Sequence, residues 1–194
     1  MAGVLIAGHA LVAAAAPSKN PPAQEFTLTD TNGTPHSLSE FRGRFVVLEW
    51  VNPECPFVRK QYDSGNMQRL QKRYAERGVV WLSIDSSAPG KQGHVTPEQA
   101  NTWLKQRNAS PTAMLLDPTG EVGKLYNART TPHMFVINRE GELIYQGAID
   151  DKPSTNPEDV KLAKNFVQQA LDEAMAGGPV TVPSSQPYGC SVKY

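Results

Sequence analysis

An α/β fold, with a central mixed sheet and helices on both faces, is predicted by three observations. Strand and helix signals alternate along most of the chain. Residues 44–51 and 79–84 are apolar-rich runs, as strands covered on both faces require. A late hairpin, residues 134–147 turning at Glu140-Gly141, adds antiparallel strands and makes the sheet mixed.

The elements follow in order. Residues 26–30 alternate apolar and polar, and Asn32-Gly33 marks a turn. A second arm near residues 36–38 completes an amino-terminal hairpin and leads into a helical turn at Glu40-Phe41. After the strand 44–51, residues 56–76 read as one helix with Val58, Tyr62, Leu70, Tyr74 and Ala75 as apolar contacts and Gly78 as its stop. The strand 79–84 runs into a loop, 86–93. Thr96-Pro97-Glu98-Gln99 then starts a helix to about Arg107, with Thr as cap, Pro in the first position and a carboxylate in the first turn. A short strand (113–117), a short helix (120–126) and the late hairpin come next. Residues 157–175 read as a long amphipathic helix ended by Gly177-Gly178, and a Pro- and Ser-rich tail follows.

The chain has 194 residues, enough for one sizeable core. Its 39 % hydrophobic and 20 % charged residues are ordinary for a globular protein. Lys plus Arg and Asp plus Glu each number 19, so the basic footprint that nucleic-acid binding needs is missing. No apolar run reaches the roughly 18–20 residues that span a bilayer. Residues 4–16 are apolar without acid or base and stop at a Pro-rich stretch. They have the character of a secretory signal core, with Ala13-Ala14-Ala15 as cleavage site. The expected organisation is a signal peptide over 1–16, a linker over 17–24, one domain over 25–176 and a tail over 177–194. Such a protein is periplasmic or secreted and holds to no membrane once the signal is cleaved. The alternative is an apolar amino-terminal helix of a cytosolic protein.

Only two cysteines are present, so one intramolecular disulfide is possible. Cys55 stands between a buried strand and a helix whose first position suits Pro56, which makes Cys55 the cap. Free N–H groups and the partial positive charge of a helix start favour a thiolate there. Arg59 and Lys60 in the first turn oppose the dipole, a choice that makes sense if an anion sits at Cys55; Glu54 acts the other way. A reactive Cys55 is the expectation, and a buried inert cysteine the alternative. The histidines show no i, i+4 ligand spacing, and Gly90-Lys91-Gln92-Gly93 lacks the form of a phosphate loop.

At Val46-Val47-Leu48 leading into Cys55-Pro56, and at Thr130-Thr131-Pro132-His133-Met134-Phe135-Val136-Ile137, the sequence resembles the thioredoxin-fold redoxins over about residues 24–176. This superfamily holds thioredoxins, thiol-disulfide oxidoreductases and peroxiredoxins. The segment Cys55-Pro56-Phe57-Val58 and the tail Gly189-Cys190-Ser191-Val192-Lys193-Tyr194 are similar to a peroxiredoxin-like group that reads Cys-x-x-Cys-Pro-Phe-Val and ends Gly-Cys-Ser-x-Lys-aromatic. On that pattern Asn52 takes the first cysteine's place, so a dithiol within one loop is impossible. The peroxiredoxin signature is also incomplete, with Leu48 where Pro belongs and Asn52 where Thr belongs.

The resemblance implies a thioredoxin-like fold in which Pro132 is cis and packs against the Cys55 sulfur. It leaves the Thr131 backbone free to pair with a substrate chain. It further implies that a peroxide or disulfide substrate is reduced at Cys55, with an external dithiol as reductant and no dissociable cofactor. Cys190 then either resolves the product at Cys55, forms a permanent structural disulfide, or stays free or pairs between chains. An extended tail of about a dozen residues covers about 35 Å, enough to reach Cys55. Asn52 is a hydrogen-bond donor to the sulfur or a turn former, and His133 a base near Cys55 or a histidine satisfied elsewhere. The rival expectation is a non-enzymatic module of this fold that binds a partner or copper.

Overall fold

The computed structural model describes residues 20–194. The expected signal segment over 1–16 lies outside them. Among the described residues, nine strands and five α-helices follow one another as β1 (Thr27–Asp30), β2 (Pro35–Ser37), β3 (Val46–Trp50), α1 (Pro56–Asp63), α2 (Asn66–Ala75), β4 (Val80–Asp85), α3 (Pro97–Gln106), β5 (Ala113–Leu116), α4 (Glu121–Leu125), β6 (Thr130–Thr131), β7 (His133–Ile137), β8 (Leu143–Gly147), α5 (Phe166–Met175) and β9 (Cys190–Ser191). Short 3-10 turns at Leu38–Phe41 and Pro157–Leu162 complete the list.

Seven strands form one mixed sheet in the order β2-β1-β5-β4-β3-β7-β8. β3, β4 and β5 run parallel, whereas β7 lies antiparallel to β3 and β8 antiparallel to β7. Every residue of β3, β4 and β7 is buried, because helices cover both faces. On one face Val47, Val51 and Cys55 pack with Val58 and Tyr62 of α1, Leu70 and Tyr74 of α2, Trp103 of α3 and Leu171 of α5. On the other, Val46, Leu48 and Trp50 pack with Phe41, Val122 and Tyr126. Trp50 lies 5.1 Å from the Phe135 ring and 5.5 Å from that of Tyr126.

Two expected helices are broken, each for a local reason. The helix over 56–76 divides at Ser64-Gly65, where Gly65 adopts a left-handed φ of 72° that favours glycine. The helix over 157–175 shrinks to α5, because residues 163–165 pair instead with the stretch after β8. Asp151 N–H donates to the Lys164 carbonyl (3.2 Å), and Phe166 N–H to the Ile149 carbonyl (3.0 Å). Asn165 then caps α5, its side chain accepting from Gln168 N–H at 2.8 Å. Residues 21–23 are not a loose linker: Ala23 N–H donates to the Gly141 carbonyl, and Leu143 N–H to that of Pro21. The tail is docked as well, and its β9 pairs with β6 as a separate two-stranded sheet.

Glu49, Asp85 and His133 are ionisable side chains buried within β3, β4 and β7. Glu49 of β3 accepts from Tyr62 Oη–H (2.9 Å), Trp81 Nε1–H (2.8 Å) and Ser83 Oγ–H (2.9 Å). Burial pushes its carboxyl above the usual range, against the pull of those donors. Replacing Glu49 by Leu strands three buried donors, a loss of roughly 3–5 kcal/mol, whereas Glu49→Gln keeps an acceptor and loses less. Urea unfolding checks this, and a Glu49→Leu loss below about 1 kcal/mol would mean that the donors find other partners.

His133 opens β7 opposite Trp50, its ring 4.5 Å from the Phe135 ring and tilted 47° to it, and its Nδ1 accepts from Arg129 N–H at 3.3 Å. Burial, helped by the Arg129 cation, lowers its pKa from 6.5 to about 4. The fold therefore favours the neutral ring. That contribution is complete above pH 6.5 and is lost as pH falls from 6.5 towards 4. It amounts to roughly 3 kcal/mol in all. In paired urea titrations between pH 7.5 and 4.5, the stability difference between wild type and His133→Asn should shrink with acid. A difference that stays constant would show that His133 titrates alike in the folded and unfolded chain.

Candidate functional site

The sharp turn after β3 is built by Asn52. Its Oδ1 accepts from Glu54 N–H (2.8 Å), its carbonyl from Cys55 N–H (3.1 Å), and its Nδ2–H donates to the Gln92 carbonyl (3.1 Å). The buried amide thus acts as a turn former that also ties down the loop after β4, and the Cys55 sulfur is not among its hydrogen-bond partners. That loop can approach because residue 93 is glycine: a Cβ there would lie 2.1 Å from Asn52 Nδ2.

Cys55 caps α1 and Pro56 takes the first helical position. The sulfur, however, makes no capping hydrogen bond to the helix N–H groups. It turns towards the loop between β6 and β7, where its S–H donates to the Thr131 carbonyl at 3.0 Å. The Thr131-Pro132 peptide bond is cis. The Cys190 sulfur lies 2.8 Å away on the other side. Both cysteines are free thiols, and Cys55 is only 1 % exposed. The structure thus brings together Cys55, Thr131, Pro132 and Cys190, while Asn52 holds the turn behind them.

The tail delivers Cys190 as a strand. Thr131 is the register partner of Cys190, and Thr130 that of Ser191, in an antiparallel pair. The Thr131 backbone, expected to be open to a substrate chain, is therefore occupied by the protein's own tail. Gly189 permits the approach: a Cβ on it would sit 2.0 Å from the Thr131 carbonyl oxygen, and its φ is 135°. Burial first, then the neighbouring Cys55 sulfur, pushes the Cys190 thiol up to about 12. Cys190 therefore stays protonated at neutral pH.

The cations after Cys55 do not meet an anion on the sulfur. Arg59 is exposed, and Lys60 is buried and turned towards the stretch after β8. Its Nζ–H donates to the Lys152 carbonyl (2.5 Å) and lies 3.6 Å from Asp150 Oδ1. Gln61 Nε2–H donates to Asp150 Oδ2 (2.6 Å), and Tyr188 Oη–H to Asp150 Oδ1 (2.5 Å). Sequence reasoning missed Asp150 and Tyr188. The signal for Tyr188 was an aromatic residue two positions before Cys190 in a Pro- and Ser-rich tail. His133 faces Phe135 and Arg129, as a histidine satisfied away from the sulfur. Among the described residues no group of three or more His, Cys, Asp and Glu side chains gathers to hold a metal.

The fold agrees with comparisons to known proteins. The family model described as Redoxin matches residues 18–170. The chain is 27 % identical over 125 residues to the thiol-disulfide oxidoreductase ResA of Bacillus thuringiensis subsp. konkukian (strain 97-27). That match covers 64 % of this chain and 66 % of the relative, just under two thirds of its length. An uncharacterized conserved protein of Geobacillus kaustophilus superposes with a TM-score of 0.78 at 26 % identity, over 90 % of this chain and 91 % of the other. A thioredoxin-like protein of Aeropyrum pernix shares the fold, with a TM-score of 0.53 at 22 % identity over 71 % and 88 % of the two chains. Matched by the family model over well more than half its length and built on a thioredoxin-like fold, the chain belongs to the Redoxin family.

Proposed function

We propose that this redoxin is a two-cysteine thiol-disulfide oxidoreductase in which Cys55 attacks and Cys190 resolves. The observation that carries the proposal is the 2.8 Å approach of the two sulfurs across the Thr131 loop. A disulfide bond would close that gap to roughly 2.0 Å. Asn52 leaves this chain no second cysteine in the turn, so the tail supplies it from 135 positions away.

In the forward direction the Cys55 thiolate attacks one sulfur of a substrate disulfide. A Cys55–substrate disulfide forms and the other substrate sulfur leaves as a thiolate. Cys190 then attacks the Cys55 sulfur, the second substrate sulfur leaves as a thiolate, and the proton released from Cys190 passes to the departing substrate thiolate. Two electrons have passed from the dithiol to the substrate, and the Cys55–Cys190 disulfide is returned to the dithiol by an external dithiol reductant. Thr131 contributes the carbonyl that orients the Cys55 sulfur. The strand pairing of the Cys190 segment along β6 favours a disulfide over a peroxide as substrate, because it is how an extended sulfur-bearing chain meets Cys55. The similarity to a thiol-disulfide oxidoreductase points the same way. The signal-like segment over 4–16 and a cycling disulfide together suit an exported protein in an oxidising compartment.

The test is a pair of assays on the reduced protein, one with insulin disulfides and one with hydrogen peroxide, each followed by peptide mapping. Insulin reduction with a Cys55–Cys190 peptide within one chain is expected. Cys55→Ser should lose turnover, and Cys190→Ser should stop at one equivalent of mixed disulfide on Cys55. Fast consumption of peroxide with Cys55 oxidised, and no insulin reduction, would instead make the protein a peroxidase of the peroxiredoxin-like type. A Cys190→Ser variant that cycles normally would remove Cys190 from the mechanism.

A further inference from the structure

The tail is fastened on both sides of Cys190. Two residues before it, the Tyr188 hydroxyl donates to Asp150, the ring lies 5.8 Å from Phe57, and Lys60 Nζ sits 5.5 Å over the ring. Phe57 and Lys60 belong to α1, the helix that Cys55 starts, so Tyr188 grips the attacking cysteine's own helix. Four residues after Cys190, the Tyr194 ring lies on α4. A Cβ on Gly120 would sit 2.4 Å from that ring, and one on Gly123 2.5 Å, so these two glycines form the notch that receives it. The Tyr194 hydroxyl donates to the Ala128 carbonyl (2.7 Å), and Lys124 Nζ lies 5.5 Å from the ring. Between the two tyrosines the tail is zipped by Val192 N–H to the Arg129 carbonyl (3.1 Å) and by Ala88 N–H to the Lys193 carbonyl (2.8 Å).

The two fastenings are unequal. Tyr188 is bound to a buried carboxylate that Lys60 and Gln61 also hold. Tyr194 makes one hydrogen bond in a shallow notch and is 37 % exposed. With both closed, Cys55 is shut off from solvent, yet a substrate must reach it before Cys190 can resolve anything.

We propose that Tyr194 is a latch: its seat in the Gly120–Gly123 notch sets how long Cys190 stays over Cys55, and its release opens Cys55 to the substrate. Tyr194 is a positioning residue, acting through Cys190, and the proposal rests on the reading of Cys190 as the resolving cysteine. The latch has two opposed consequences. Closed, it raises the effective concentration of Cys190 at Cys55 and so stabilises their disulfide. Open, it exposes Cys55 to outside reagents.

Two readouts on the full chain test this in Tyr194→Ala and Tyr194→Phe. The first is the equilibrium between the Cys55–Cys190 disulfide and a reduced/oxidised glutathione buffer. Loss of the ring should lower the disulfide's equilibrium constant about tenfold, whereas Phe, which keeps the ring, should lower it less than about threefold. The second is the alkylation rate of Cys55 by iodoacetamide, measured with Cys190→Ser as background. Tyr194→Ala should raise it about tenfold by increasing the open population. Urea unfolding of the same variants separates this from a general loss of stability: both shifts with an unchanged midpoint support the latch, and shifts that follow a lowered midpoint overturn it. If Tyr194→Ala leaves both within twofold of the parent, the latch does not exist. If the wild type forms no Cys55–Cys190 disulfide in glutathione, the resolving role fails. In that case the alkylation arm alone decides whether Tyr194 governs access to Cys55.

Discussion

Both cysteines are tied to the backbone of one residue, Thr131. Its carbonyl accepts the Cys55 thiol, and its strand position pairs with Cys190. Because β6 runs directly into β7, and β7 pairs along all of β3, the Thr131 loop and the Cys55 turn are set at adjacent ends of two central strands. Displacing this loop would move the acceptor of one cysteine and the strand partner of the other together. Gly189 matters for the same reason, since a side chain there would collide with the Thr131 carbonyl.

A second constraint comes from behind. Lys60, Gln61 and Tyr188 converge on Asp150, joining α1, the stretch after β8 and the tail through one buried carboxylate. A buried lysine and aspartate of this kind add little net stability over an apolar pair, but breaking either one alone leaves a charge without its counterion. Their effect is to specify where the tail crosses α1. The interruption of the expected helix over 157–175 belongs to the same arrangement, because residues 163–165 pair with the stretch that carries Asp150.

The parts that local chemistry controls were legible in advance. The Thr96-Pro97-Glu98-Gln99 signal starts α3 with the capping hydrogen bonds it promised. The apolar runs became the fully buried β3 and β4, and Glu140-Gly141 turned the late hairpin. Asn52 was seen to stand at the turn before Cys55, but the neighbours that occupy its amide were not visible. The broken helices were misread because amphipathic spacing continues across Gly65 and across residues 163–165, and only the backbone partners of those residues show the break. Arg59 and Lys60 looked like a matched pair facing an anion. In the fold one is solvated and the other buried on Asp150.

The sequence by itself determined the alternation of strand and helix, the placement of Cys55 and Pro56 at a helix start, and the presence of a single further cysteine. These follow from spacing, capping and turn chemistry within a few residues, for which neighbours in the chain are also neighbours in space. Only the tertiary structure decided that Cys190 meets Cys55, that the tail occupies the strand edge of Thr131, and that Tyr188 and Tyr194 flank the meeting point. Those contacts join segments 38 to 135 positions apart. A flexible run of that length closes at an entropic cost that barely depends on where it lands. The landing place is set by the shapes and hydrogen-bond groups of the surface it crosses, which exist only once the sheet and its helices have assembled.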